Sequence, residues 1–308
     1  MLTESYNFLG LEPSRSNPAT AKYIVLPIPY EGAVSWATGT IDGPQAILEA
    51  STHVEWFDER QLYDFTRPGI ATLAPLIPAG EGADPVLQIE QAAWPIIQTG
   101  QFLLALGGDH SITVGLVQAC AAHHERLSVL QIDAHADLRD SYNGSALSHA
   151  CVMRRVLEIT PDICQVGIRS FSEAEYVDCP ALLDRIITPQ DVQTDATWLD
   201  EVIRRLGDHV YITVDMDAFD PSIAPGVGTP EPGGLSWHQV DALVRRVCDE
   251  RKVVAADIVE TRPVALSCVT EFVAARLACK IIAYTQRTAV SSRKWPRRRG
   301  LPDNDYVA

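Results

Sequence analysis

Four polar clusters in this 308-residue chain carry residue types, at spacings, suited to holding divalent cations. They are Gly107-Gly108-Asp109-His110-Ser111, Asp133-Ala134-His135-Ala136-Asp137, the stretch from Asp215 and Asp217 to Asp220-Pro221, and Asp257-Ile258-Val259-Glu260-Thr261. In extended backbone alternate side chains point the same way, so Asp133, His135 and Asp137 can converge, as can Asp215 and Asp217. Carboxylates bunched at the mouth of an apolar strand repel one another and lose solvation, a conflict that a divalent cation removes. One DxD alone is a weak signal, common in turns and phosphatases, and a lone His110 beside a glycine turn is more often a cap. The combination is far more specific. Six ligands divided as four carboxylates (Asp133, Asp137, Asp215, Asp217) and two imidazoles (His110, His135) make a hard, oxygen-rich set. Structural zinc would favour cysteine instead. Two ions sharing carboxylates fit this set better than one, and such a pair can generate hydroxide near neutral pH.

The elements that must position these clusters are apolar, β-branched runs directly ahead of them. Strands are predicted at Tyr23–Pro27, Phe102–Leu106, Ser128–Ile132, Ile163–Ile168, Val210–Val214 and Val253–Ile258. Helices are predicted at Ser111–Glu125, Ala196–Leu206, Ser236–Arg251 and Ser267–Arg287, the last with Val269, Phe272, Val273, Leu277 and Ile281 at helical spacing. Buried strands alternating with helices predict an α/β fold with a mostly parallel sheet. In such sheets sites assemble beyond the carboxyl ends of the strands, where all four clusters stand. No internal repeat or low-complexity linker divides the chain, so residues 1–308 read as one domain. Residues 1–20 read as a polar arm and 289–308 as a basic tail, with Arg293, Lys294, Arg297, Arg298 and Arg299 near Trp295. Such a tail is more often a solvated terminus than a nucleic-acid or membrane contact.

A formal net charge of -15 argues against nucleic acid as a partner and suits divalent metals and cationic small molecules, unless it serves solubility alone. No apolar run reaches the roughly 18 residues of a membrane span, and the first residues lack the pattern of a secretory signal. The seven cysteines show no CxxC pair, which predicts reduced thiols and a cytoplasmic setting.

In this order, GGDHS, DAHAD, SHACVMRR, DMDAFDPSIAPGVGTPEPGG and DIVET resemble the ureohydrolase family, the arginase and agmatinase group, from about Tyr23 to Arg287. The resemblance implies a three-layer α/β/α fold with a sheet of about eight strands. It also implies a pair of manganese ions, with nickel as the alternative in the same ligand set. By that analogy His110 and Asp137 complete one ion's shell, His135 and Asp217 the other's, and Asp133 and Asp215 bridge. The implied reaction is hydrolysis of a guanidino group to urea and an amine. Glu260 then matches the carboxylate that holds the guanidinium fork, and His149 the imidazole that gives the departing amine its proton. Arg139 and Ser170 stand where arginases place groups for the amino acid's carboxylate and ammonium. A serine cannot pair an α-ammonium as a carboxylate would. This feature, Pro230-Glu231-Pro232-Gly233-Gly234 and Tyr30-Glu31-Gly32 point to the agmatinase branch, whereas Trp36-Ala37 departs from the Tyr-Gly of that branch's loop. The expectation is therefore agmatine cleaved to putrescine and urea by a non-covalent homotrimer or homohexamer. Guanidinobutyrate, guanidinopropionate or guanidine are the alternative substrates. An inactive binding protein of the same fold and a magnesium-dependent phosphatase are the readings from other classes.

Overall fold

The apolar runs become strands buried on both faces, because each residue parity finds a helical layer to pack on. In the computed structural model, which describes residues 7–32, 36–79, 84–182 and 186–286, the strands are β1 (Tyr23–Ile28), β2 (Phe57–Asp58), β3 (Tyr63–Asp64), β4 (Ile70–Thr72), β5 (Phe102–Gly107), β6 (Leu127–Ile132), β7 (Ile163–Val166), β8 (Ile186–Ile187), β9 (His209–Asp215) and β10 (Lys252–Val259). The α-helices are α1 (Gly43–Ser51), α2 (Pro85–Gln98), α3 (Ile112–His123), α4 (Val152–Ile159), α5 (Glu173–Asp178), α6 (Pro189–Thr194), α7 (Trp198–Arg205), α8 (Trp237–Glu250) and α9 (Val269–Thr285). Eight strands form one sheet in the order β4-β1-β5-β10-β9-β6-β7-β8, every pairing parallel, and β2 and β3 make a separate antiparallel pair. Leu104 and Leu106 of β5 join a core with α1, α7, α8 and α9, while Leu103 and Ala105 join the opposite core with α2, α3 and α4. This is the expected three-layer α/β/α arrangement.

Local chemistry sets the boundaries. Ser236 and Gln239 close a reciprocal capping box at the start of α8, and Asp84 accepts from Val86 and Leu87 N–H to start α2. The strand expected to reach Ile168 ends at Val166, because Gly167 turns at φ 96° and its N–H donates to Ile187 at 2.8 Å. In α9 the buried stripe runs through Ala274, Leu277, Ala278 and Ile281. Val269 and Phe272, expected on that stripe, are 48% and 42% exposed. Lys280 of the same helix is buried against Asp58 at 2.8 Å and Glu59 at 2.6 Å.

Of the amino-terminal segment, Phe8, Leu9 and Leu11 are buried in the core that contains α1. The basic tail lies outside the described residues. All seven cysteines are free thiols, with Cys120, Cys164, Cys248 and Cys279 buried. Among the described residues no helix is long and apolar enough to cross a membrane.

Candidate active site

The four clusters extend from β5, β10, β9 and β6, which are adjacent in that order at the centre of the sheet. Each turn is shaped by its own residues. A β-carbon at Gly108 would collide with the Tyr30 carbonyl oxygen, so only glycine lets the chain pass there. Asp109 then accepts from Ser111 N–H at 2.7 Å and Gly32 N–H at 2.9 Å, fixing the turn that carries His110 inward. Asp137 and Glu260 adopt left-handed backbone, with φ 54° and 62°, a conformation uncommon for non-glycine residues and concentrated at functional sites.

The sequence-predicted residues do converge. His110 Nδ1 lies 3.1 Å from Asp133 Oδ2, 3.2 Å from Asp137 Oδ2 and 3.4 Å from Asp215 Oδ2. His135 Nδ1 lies 3.0 Å from Asp217 Oδ2 and 3.7 Å from Asp133 Oδ1. Donor atoms of His110, Asp133 and Asp137 all fall within 4.8 Å of one another, as do those of Asp133, His135 and Asp217. Asp133 thus belongs to both groups. His110 Nδ1 is buried and makes no hydrogen bond, although three carboxylates face it. Its other ring nitrogen lies 2.9 Å from Thr213 Oγ1. A histidine so held, with a bare nitrogen aimed at acidic oxygens, has the form of a metal ligand with a supporting partner. The donor set fits hard divalent ions.

The electrostatics express the same crowding. Burial and the Asp133 charge push Asp137 up to about 6, and burial with the charges of Asp217 and Asp133 raises Asp215. Burial opposes the charge on His135, yet Asp217 and Asp133 drive it up to about 12. Asp133 is held well below the usual range by His110 and His135 despite its burial. Burial and Asp109 raise Glu260, although His110 N–H donates to its Oε1 at 2.8 Å.

These groups face a cavity of about 290 Å³. His110, His135, Asp137, Asp215, Asp217, Glu260 and His149 all line it, whereas Asp133 is fully buried and outside the lining. His149 opens a short 3-10 turn, and the Tyr142 ring meets its imidazole edge-on at 5.9 Å between centroids. Arg139 and Ser170 line the cavity as expected, but the Arg139 guanidinium sits 5.1 Å over Tyr142 and 3.7 Å from buried Glu175. Trp36 stands at the rim, 83% exposed.

Sequence reasoning missed several supporting residues. Arg169 donates to the Asp217 and Glu231 carbonyls at 2.8 and 2.6 Å, tying two site loops together. Gln131 Nε2 donates to Asp133 Oδ2 at 2.7 Å. Gln131 and Gln165 are polar residues inside largely apolar strands, the one mark they leave in the sequence.

The arginase family profile matches residues 21–284. An N(1)-aminopropylagmatine ureohydrolase of Synechocystis is 39% identical, over 86% of this chain and 90% of that one. An agmatinase of Pyrococcus horikoshii is 31% identical, over 93% and 100%. The crystal structure of the agmatine ureohydrolase of Thermoplasma volcanium superposes with a TM-score of 0.80 at 33% identity, covering 88% of this chain and 92% of that chain. With its parallel sheet, its Asp/His groups and these relatives, the chain belongs to the arginase family and is a ureohydrolase, a hydrolase acting on a guanidino group.

Proposed function

We propose that the substrate is agmatine, cleaved to putrescine and urea. The observation that carries this is Glu260, a carboxylate on the cavity beside two Asp/His groups able to hold metal. A guanidinium is planar and permanently charged, and bidentate pairing with a carboxylate is its strong mode of recognition. His110 N–H holds Glu260 Oε1, which fixes the carboxylate's orientation. Arg139 is engaged by Glu175 and Tyr142, which disfavours guanidino acids as substrates.

His110, Asp133, Asp137 and Asp215 would hold one divalent ion; His135, Asp217 and the same Asp133 would hold another. Manganese is the expected metal, with nickel compatible with the same set. Bound ions would supply an activated water and stabilise charge as the guanidino carbon becomes tetrahedral. Glu260 orients that carbon. As the carbon–nitrogen bond to the alkyl amine breaks, His149 delivers a proton to the leaving nitrogen, giving urea and the free amine.

A second reading is N(1)-aminopropylagmatine, favoured by the 39% relative of that name. Trp36 and Phe171, both exposed, line the cavity and offer apolar surface to a longer chain. The test is urea release, with the amine product identified, from agmatine, N(1)-aminopropylagmatine, guanidinobutyrate, guanidinopropionate and guanidine after loading with manganese or nickel. No urea from any of them would overturn the proposal; a larger kcat/KM for the aminopropyl compound would move it to the second reading. We also propose a non-covalent homotrimer or homohexamer, which light scattering showing a monomer at micromolar concentration would refute.

A further inference from the structure

Asp257 is wholly buried beneath the candidate metal centre, yet it does not line the cavity and, among the described residues, forms no salt bridge. Its Oδ2 accepts from Tyr211 OH at 2.5 Å and Thr113 Oγ1 at 2.8 Å. Thr113 Oγ1 in turn lies 3.4 Å from Thr213 Oγ1, which lies 2.9 Å from His110 Nε2. Thr213 and Asp257 are also register partners on β9 and β10.

The direction of the first of these bonds is set by the carboxylate. A carboxylate only accepts, so the Thr113 proton points at Asp257, and the Thr113 oxygen is left to accept from Thr213. A Thr213 proton drawn to Thr113, or to Asp257 itself, points away from His110. The Thr213 oxygen then accepts the Nε2 proton of His110. In the neutral form, the one that can ligate a cation, imidazole carries one ring proton, so Nδ1 is then bare, and Nδ1 is the atom facing Asp133, Asp137 and Asp215.

We infer that Asp257, acting through Thr113 and Thr213, is a positioning residue that selects the metal-binding tautomer of His110. This rests on the metal-centre reading of the proposed function. It assigns to the first residue of DIVET a role separate from that of Glu260. Among the described residues His135 makes no hydrogen bond to these hydroxyls, so the influence falls on the His110 side of the centre.

The test is calorimetric manganese titration of the metal-stripped full chain in four forms: wild type, Thr213→Val, Thr213→Ser and Asp257→Asn. Melting temperatures in chelator are measured on the same samples. Outer-shell partners of metal ligands are worth about 10- to 100-fold in affinity. Thr213→Val and Asp257→Asn should therefore each weaken one of two sites by roughly that factor and leave the other within about twofold. Thr213→Ser, which keeps the hydroxyl, should match wild type. If Thr213→Val and Asp257→Asn keep both wild-type affinities, the inference is wrong while the metal-centre reading stands. Equal weakening of both sites with a lower chelator-state melting temperature would show general damage, and would also overturn it. A wild type that takes up no manganese would remove the metal-centre reading, and this inference with it.

Discussion

The backbone N–H of His110 donates to Glu260 Oε1 at 2.8 Å, and the N–H of Glu260 donates to the Gly108 carbonyl at 2.8 Å. The turn that aims an imidazole at the carboxylates therefore also sets the carboxylate proposed to hold the guanidinium. On the proposed function, metal binding and substrate orientation are coupled through the hydrogen bonds that join the turn after β5 to the turn after β10.

Glu260→Gln should raise KM and lower kcat while metal content stays at wild-type level. Hydrogen bonds to charged groups are worth roughly 1.5–3 kcal/mol, so kcat/KM should fall about ten- to a hundredfold. Steady-state kinetics with metal analysis on the same preparation decides it; an unchanged KM would remove Glu260 from substrate binding.

His149→Ala should act on kcat, by about 10² to 10⁴, since general acid–base groups contribute on that scale. Added imidazole should restore part of the rate. Full kcat in the variant would end the proton-donor role, and a lost metal ion would make His149 a ligand.

Asp133→Asn should release more metal than Asp137→Asn, because Asp133 alone belongs to both donor groups. Elemental analysis after dialysis reads this directly. Equal retention by the two variants would contradict a shared ligand.

The pH response follows from the crowded carboxyls. With no ion bound, Asp137 is pushed up to about 6 by burial and by Asp133. A folded-state pKa raised above the ordinary aspartate value stabilises the fold fully below about 3.9. That contribution disappears as pH rises through about 6. Metal-stripped protein should lose stability from about pH 4 to 7, while ions bind better as the carboxyls ionise. The melting temperatures of loaded and stripped protein should therefore diverge with rising pH. Scanning calorimetry at several pH values across that window checks this, and a constant gap would contradict it.

Lys280→Met should destabilise the fold by about 3–5 kcal/mol, because it leaves Asp58 buried beside no cation. Replacing Asp58 as well should recover part of the loss. Denaturant unfolding of the single and double variants reads both effects; an unchanged midpoint in the single variant would show that the pair is worth little.

Much of this was legible in the chain because strand-end clusters leave a dense local signature. Asp133, His135 and Asp137 alternate along extended backbone, so spacing alone brings them together. The six main strands were visible as apolar runs, but β4 and β8, at three and two residues, are too short to show a pattern. Helix α2 carries Pro95 in its interior, which argues against a helix until the packing of Ile89 and Ala93 on the sheet outweighs it. Asp257 lies one step before an apolar pair, and nothing in its spacing indicates that it faces inward toward Thr113 and Tyr211. Pairing of that kind arises from β9 and β10 meeting in register, which only the assembled sheet reveals.

The left-handed backbone at Asp137 and Glu260 bears on how this lineage can change. Such conformations cost a non-glycine residue on the order of 1–3 kcal/mol, and glycine would remove that cost. A descendant copy freed from selection for urea release would gain robustness by drifting to glycine at either position. Retention of both acidic side chains through divergence therefore marks copies still under selection for the reaction, and glycine at position 260 would identify a paralogue that keeps the architecture after abandoning the chemistry.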